Sequence, residues 1–399
     1  MRELQSTRGR YTISMRYLLL LVLIFVLSGA SSAGAPSPPL SVIMDIDLLM
    51  EHAMSQRLIA GGVVLIGARN GAVFQRAYGR MSADPFAPPM RTDAIFDVAS
   101  LTKVVATTSA IMKLVEDGKV SVNDPVATWF SEFGETKKKL LIKHLMTHTS
   151  GIIDFPLTQP DPLNQAVERC ATRPSRGDIG HSFCYSDLNF ILLGDLVRRV
   201  SGVPLDRYVA ERIFVPLGML DTSFSPPPAA RPRLSATVLP DGALLTGAPQ
   251  DGLARQLGGV AGHAGLFSTA ADLALFCRML MNGGEIDGRR VLTERTVVEM
   301  TAPRYLEGGK VVRGLGWDIA SPYSAPRGHG FSESSFGHTG YSGASLWIDP
   351  LQDLFVVLLT ARIDFSRTGD FNRLRRDLST LAATTLAPSG RIHSTAGIF

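Results

Sequence analysis

The amino-acid sequence predicts an α+β protein of two lobes. An antiparallel sheet is built from both chain ends and flanked by helices, and a mostly helical lobe is inserted between them. Three observations carry this. β-rich apolar runs sit near the two ends, at 62–68 and 72–78 and again at 344–348 and 354–360. Short helical patterns broken by Pro and Gly fill the middle. The chain has 399 residues, 45% hydrophobic and 19% charged, enough for a large core and unlike a disordered or collagen-like sequence.

Residues 1–33 read as a secretory signal. Arg2, Arg8, Arg10 and Arg16 precede an apolar run from Leu18 to Leu27, followed by the small residues Ala30, Ser31, Ser32 and Ala33. A start at Met15 would leave a compact, complete signal. The run is about half the roughly 20 residues that span a bilayer, and no Cys follows it for lipid attachment. A secreted or periplasmic location is expected, with membrane attachment only if the signal stays uncleaved. The segment carries four Arg and one Glu, so removing it lowers the formal charge from +4 to about +1. The basic pI near 9.0 therefore gives no support to nucleic-acid binding.

Residues 34–42, rich in Pro and Ser, read as a linker. Leu48, Leu49 and Met54 give helical spacing over Asp45 to Arg57. Gly62 to Ala68 and Ala72 to Tyr78 flank Arg69-Asn70-Gly71, a strong hairpin signal. Phe96-Asp97-Val98-Ala99 leads into Ser100, and apolar residues then recur at three and four up to Asp117, with Gly118 as a stop. In the middle, Asp187 to Val200 is the clearest helix, with Asp187 as an N-cap and Gly202 past its end. Residues 225–250 read as an irregular excursion. Thr269-Ala270-Ala271-Asp272 has capping-box spacing and opens a helix to about Met281. Strands Ala344 to Ile348 and Leu354 to Thr360 flank the turn 349–353, and an amphipathic helix runs from about Asp370 to Ala383. The expected division is 43–118 with 256–386 for the sheet lobe, 119–255 for the helical lobe and 387–399 as a tail.

Cys170, Cys184 and Cys277 have no CxxC spacing. Cys170 and Cys184 either close a modest loop or are separate thiols, and the odd number leaves at least one thiol free.

The chemistry starts at Ser100-Leu101-Thr102-Lys103. Residues three apart at a helix start share a face, so Lys103 can reach the Ser100 hydroxyl. A desolvated amine there is expected to have a lowered pKa, suited to activating a serine. Taken alone, S-x-x-K is weak. Tyr185-Ser186-Asp187 precedes a helix, and His338-Thr339-Gly340 precedes a strand whose edge can pair with a peptide-like backbone.

These three motifs, in this order and spacing, resemble those of the serine β-lactamase and penicillin-binding protein superfamily, in its class C β-lactamase and D,D-carboxypeptidase branch. The likeness spans about residues 45–385 and includes 144–151, 214–219 and 262–268. It implies the β-lactamase/transpeptidase fold, with Ser100 as acyl-enzyme nucleophile and Lys103 and Tyr185 shuttling its proton. It places the backbone N–H groups of Ser100 and Tyr341 in the oxyanion hole, and gives His338, Thr339 and Gly340 to the substrate and its carboxylate. Two departures stand out. Asp187 occupies the usual Asn position and cannot donate to a substrate amide when ionised, which leaves it as a helix cap with Asn189 as substitute donor. His338 replaces Lys, which resembles D,D-peptidases more than true β-lactamases.

Other constellations are weaker. His144 and His148 lie four apart but lack the Glu and third ligand of a zinc hydrolase, and read as supports of a loop. His263 reads as a loop residue near the cleft. Gly258 to Gly262 lack the Lys of a phosphate-binding loop. No metal and no cofactor are expected. The resemblance implies an exported serine hydrolase acting on peptidoglycan-derived peptides, as a D-alanyl-D-alanine carboxypeptidase or a muramyl-peptide amidase. A carboxylesterase or β-lactamase of the same fold is the alternative, with a small peptide, ester or β-lactam as substrate. A slow-turnover penicillin-binding sensor is the alternative of another class.

Overall fold

A computed structural model describes residues 38–134, 137–239, 241–305 and 312–385. The signal segment and the tail 387–399 lie outside these residues. Helix α1 (Leu40–Ser55) opens the described chain, behind Pro39. It begins inside the stretch expected to be a linker, because its buried stripe is Ile46, Met50 and Ala53. Leu48, part of the pattern that suggested a later start, is 61% exposed.

Strands β1 (Ile59–Ala68) and β2 (Gly71–Gly79) form the expected hairpin. Later come β3 (Phe96–Asp97), β4 (Phe267–Ser268), β5 (Arg304–Tyr305), β6 (Val312–Arg313), β7 (Asp318–Ala320), β8 (Phe336–Thr339), β9 (Ser345–Asp349) and β10 (Leu354–Arg362). Eight of them make one antiparallel sheet in the order β2-β1-β10-β9-β8-β7-β6-β5, so β1 from one end of the chain pairs with β10 from the other. β3 and β4 pair separately beside the nucleophile turn.

The central strands are buried on both faces because successive side chains alternate. Val64 and Ile66 of β1 and Val356 and Leu358 of β10 pack against α1 and the last helix, α8 (Thr368–Thr385). Val63, Leu65, Val357 and Leu359 face the larger core with α2 (Ser109–Glu116), α5 (Asp187–Ser201) and α7 (Ala270–Met281). Between these lie α3 (Ile142–Met146), α4 (Pro162–Thr172) and α6 (Gly252–Gln256). Residues 225–250 hold a short 3₁₀ turn and a two-stranded ribbon, Thr237–Val238 with Leu244–Leu245.

At the start of α7, the Thr269 side chain accepts the Asp272 N–H, as the sequence suggests. The Asp272 carboxylate turns instead to the Asp221 N–H and the Thr222 hydroxyl, so the reciprocal half of the box is absent. Among the described residues no helix is long and apolar enough to cross a membrane.

Candidate active site

Ser100 stands at a tight turn between β3 and the helix that follows. The buried Asp97 carboxylate accepts the N–H groups of Ala99 at 2.9 Å and Gln250 at 2.8 Å, and the Asp97 carbonyl accepts the Ser342 hydroxyl at 2.6 Å. These bonds hold Ala99 in the left-handed region at φ 46°, a conformation that costs a non-glycine residue about 1 kcal/mol or more. Burial pushes the Asp97 carboxyl up to about 6, against the two N–H bonds that pull it down. After Thr102 the helix widens into a π-helical stretch, Lys103–Thr108, before continuing as α2. Such bulges recur at functional sites.

Lys103 is completely buried, and its ammonium has three neighbours. It donates to Ser100 Oγ at 2.8 Å and to the His263 carbonyl at 3.0 Å, and it stands 2.7 Å from Asp187 Oδ1. Desolvation is the largest single influence on Lys103 and lowers its pKa. The charges of Asp187 and Tyr185 and their hydrogen bonds together outweigh it and raise the pKa above the ordinary lysine value. The expected lowering is therefore corrected: the lysine remains an ammonium because its counter-ion is buried beside it. Burial pushes Asp187 up, but Lys103 and His263 pull it further down, so it is ionised.

Asp187 is not the N-cap of α5. Ser186 holds that place, and the cap is supplied from a distance by Asp154 Oδ1, which accepts the Ser186 hydroxyl at 2.6 Å and the Leu188 N–H at 3.2 Å. This frees the Asp187 carboxylate for Lys103. The Tyr185 ring centroid lies 5.2 Å from Lys103 Nζ and stacks on His148 at 4.2 Å. His148 Nδ1 accepts the Ser186 N–H at 3.2 Å and lies 3.2 Å from Asn189 Nδ2. Burial, then the nearby Arg313 charge, hold His148 well below the usual imidazole value.

Asn189 is fully buried, and its Oδ1 accepts the Ser150 hydroxyl at 2.6 Å. It belongs to the support behind Tyr185 and is absent from the cleft lining, which corrects its expected place as a substrate donor. His144 and His148 do not share a site: α3 ends at Met146, His148 adopts φ 56°, and His144 Nδ1 accepts the Leu141 N–H at 3.1 Å.

His338 and Thr339 end β8 and line the cleft with Gly340 and Tyr341. Burial, with Arg313 and Lys103 adding, holds His338 well below the usual imidazole value, so the ring is neutral near pH 7. A Cβ at Gly340 would meet the Val98 carbonyl; only glycine brings this strand end against the Ser100 turn. The Gly340 and Ala344 carbonyls accept one guanidinium nitrogen of Arg375 at 2.5 and 2.8 Å, and the Tyr341 carbonyl accepts from Arg362 at 3.1 Å. Among the described residues, no backbone carbonyl takes the N–H of Ser100 or of Tyr341. Two free amides beside a serine hydroxyl can stabilise an oxyanion.

The cleft over Ser100 has a volume of about 540 Å³. Asp187 and Asp251 gather around Lys103 and His263, with His263 Nε2 2.8 Å from Asp251 Oδ1. Arg362 and Arg375 lie behind Tyr341 and Gly340, and Arg313 lies beside His338 with its Nη1 3.5 Å from Asp318 Oδ1. Asp187, Asp251 and His263 could each offer a metal-ligand atom within 4.8 Å of the others. Protein groups already face both acids, Lys103 Nζ at 2.7 Å from Asp187 Oδ1 and His263 Nε2 at 2.8 Å from Asp251 Oδ1.

All three cysteines are free, which leaves Cys170 and Cys184 as separate thiols. The sequence reading missed Asp97, Asp154, Asp251, Arg313, Arg362 and Arg375. Of these only Asp97 had a local signal, its place three residues before the serine; the others reach the site through the fold.

A family model described as Beta-lactamase matches residues 46–379. A Salmonella heidelberg (strain SL476) protein provisionally named D-alanyl-D-alanine carboxypeptidase is 31% identical, over 75% of this chain and 78% of its own. Among solved structures, a penicillin-binding protein homolog from Caulobacter crescentus superposes with a TM-score of 0.72 at 21% identity, covering 88% of this chain and 99% of its own. A class C beta-lactamase in complex with cefoxitin gives 0.71 at 18%, covering 87% and 99%. Both structures share the fold of this chain. The chain belongs to the beta-lactamase family and is a serine hydrolase of it.

Proposed function

We propose that this hydrolase is exported and removes a terminal residue with a free carboxylate from peptidoglycan-derived peptides, as a D-alanyl-D-alanine carboxypeptidase. The observation that carries the reading is the cleft wall formed by Arg313, Arg362 and Arg375 around a neutral His338. These three residues are at most 5% exposed; Arg313 Nη1 faces Asp318 Oδ1 at 3.5 Å, and among the described residues Nε of Arg313, Nη2 of Arg362 and Nε of Arg375 have no hydrogen-bond partner. Buried guanidinium donors suit a carboxylate far better than a neutral ester. The name of the Salmonella relative and the signal-like first 33 residues support the same reading.

In this mechanism Ser100 Oγ attacks the scissile carbonyl carbon. The developing oxyanion is held by the N–H groups of Ser100 and Tyr341. Lys103, held as an ammonium, fixes Ser100 Oγ, and Lys103 and Tyr185 relay the serine proton to the leaving amine. The amine departs with its carboxylate near the arginines, and water then hydrolyses the acyl-enzyme. Asp187 lacks the donor that an Asn would give a bound amide, which disfavours β-lactam hydrolysis as the main task.

The test is mass spectrometry of a disaccharide pentapeptide incubated with the mature protein. Loss of one alanine, absent with Ser100→Ala, is expected. Release of the whole peptide from the sugar would move the scissile bond to the muramyl amide. An unchanged muropeptide alongside rapid ester cleavage would overturn the reading in favour of an esterase.

A further inference from the structure

A second cavity, of about 460 Å³, lies away from Ser100 and behind the loop that supports the second motif. Side chains of this loop are divided between two tasks. Ser150 and Asp154 hold Asn189 and the start of α5, while Ile152 and Phe155 line the cavity. Its polar lining is cationic: Lys137, Arg169, Arg173 and Arg176, with no Asp or Glu. Among the described residues none of the four takes part in an ion pair.

Arg173 and Arg176 are exposed, but two features set the cluster apart from a solvated surface patch. Lys137 is only 6% exposed, and its ammonium is fixed 2.6 Å from the Cys170 carbonyl near the end of α4. Among the described residues, one carbonyl leaves two ammonium donors without a counter-charge, an unfavourable state for a buried cation. Burial accordingly pulls the Lys137 pKa down. Arg169 and Arg173 lie one helical turn apart, where like charges repel. Both are nevertheless held on the one Phe155 ring, at 4.0 and 4.7 Å from its centroid. Arg169 is further fixed by a 2.7 Å bond to the Pro156 carbonyl. The half-buried Arg169 and the exposed Arg173 line the same cavity as the buried Lys137 ammonium, and together they offer charged donors to an oxyanion. Ile153, 47% exposed, adds an apolar rim.

We propose that this cavity is a second ligand site, distinct from the catalytic cleft, for a small molecule bearing a phosphate or carboxylate next to an apolar body. The oxyanion sits between Lys137, Arg169 and Arg173, and the apolar body covers Ile152, Ile153 and Phe155.

Calorimetric titration of the mature protein with phenyl phosphate, benzoate and benzamide tests it, each in the same ionic strength of sodium chloride. Saturable binding of phenyl phosphate or benzoate, with none of benzamide, is expected. The tighter of the two anions identifies the oxyanion. In Arg169→Gln/Arg173→Gln the affinity of this site should fall at least tenfold. Binding that is absent, or equal in the double variant, would overturn the proposal, as would equal binding of the neutral benzamide. Should the Gln variant not fold, Arg169→Lys/Arg173→Lys decides: loss of the planar guanidinium groups should still weaken phenyl phosphate several-fold, and unchanged affinity would overturn the site.

Discussion

Replacing Asp187 by Asn removes the counter-ion of a fully buried ammonium while keeping side-chain volume and an acceptor oxygen. In the native protein Lys103 Nζ stands 2.7 Å from Asp187 Oδ1, with the lysine fully buried and the aspartate side chain 27% exposed. Breaking a buried pair costs about 3–5 kcal/mol. The partial exposure of Asp187 places this one near the low end, at about 3 kcal/mol. At roughly 2.1 cal/mol/K of unfolding entropy per residue, that lowers the unfolding midpoint of a domain this size by roughly 4 °C. The pH dependence is the sharper signature. In the native protein the folded lysine pKa is raised, so its contribution is fully present below the unfolded value near 10.5 and is lost only as pH rises above it. Without Asp187, burial dominates and the folded pKa falls below the unfolded one. Stability of the variant should then rise with pH between 7 and 10, narrowing its gap to the native protein. Thermal unfolding of both proteins at pH 7 and 9.5 measures this. Equal midpoints at pH 7, or a gap that does not change with pH, would refute the assignment of Asp187 as the lysine's counter-ion.

Three further outcomes are expected. Tyr185→Phe should lower kcat/KM by about a hundredfold or more in a steady-state assay, with an unchanged circular dichroism spectrum, because only the proton-accepting oxygen is removed. Gly262→Ala should destabilise by about 3 kcal/mol or more in urea unfolding, since the new Cβ would collide with the Phe190 carbonyl. The Gly262 carbonyl accepts the Thr107 hydroxyl, so Lys103 should be displaced with it. Between pH 6.5 and about 4 the unfolding midpoint should fall. His144 is lowered to about 4 by burial, then by Lys143 and His181, and His148 and His338 lie well below 6.5, so the unfolded chain binds protons that the folded one refuses. A midpoint that is level or rising toward pH 4 would contradict the neutral, buried state of these rings.

The sheet from both chain ends was legible because its strands are apolar β-rich runs bounded by turn residues, as at Arg69-Asn70-Gly71. The start of α1 was not, because Leu48 fits the helical period as well as Ile46 does, and only packing against β1 decides which is buried. Ser100, Lys103, Tyr185 and His338 stand together because three short motifs announce them. Their electrostatics could not be read in the same way. Burial of Lys103 alone argues for a lowered pKa, and the sign reverses only when Asp187 is found to face the amine instead of capping its helix. Asn189 follows from the same displacement: two residues further along α5, its side chain points to Ser150 and His148. Arg313, Arg362 and Arg375 carry no motif and meet at the cleft only through the sheet and α8.

The central claim, that Ser100 is an activated nucleophile, is tested most directly by intact-mass spectrometry after incubation with a general serine-hydrolase fluorophosphonate. The account predicts a single covalent adduct on the mature protein that disappears in Ser100→Ala. A folded protein that acquires no adduct, or an adduct that persists in Ser100→Ala, would contradict it.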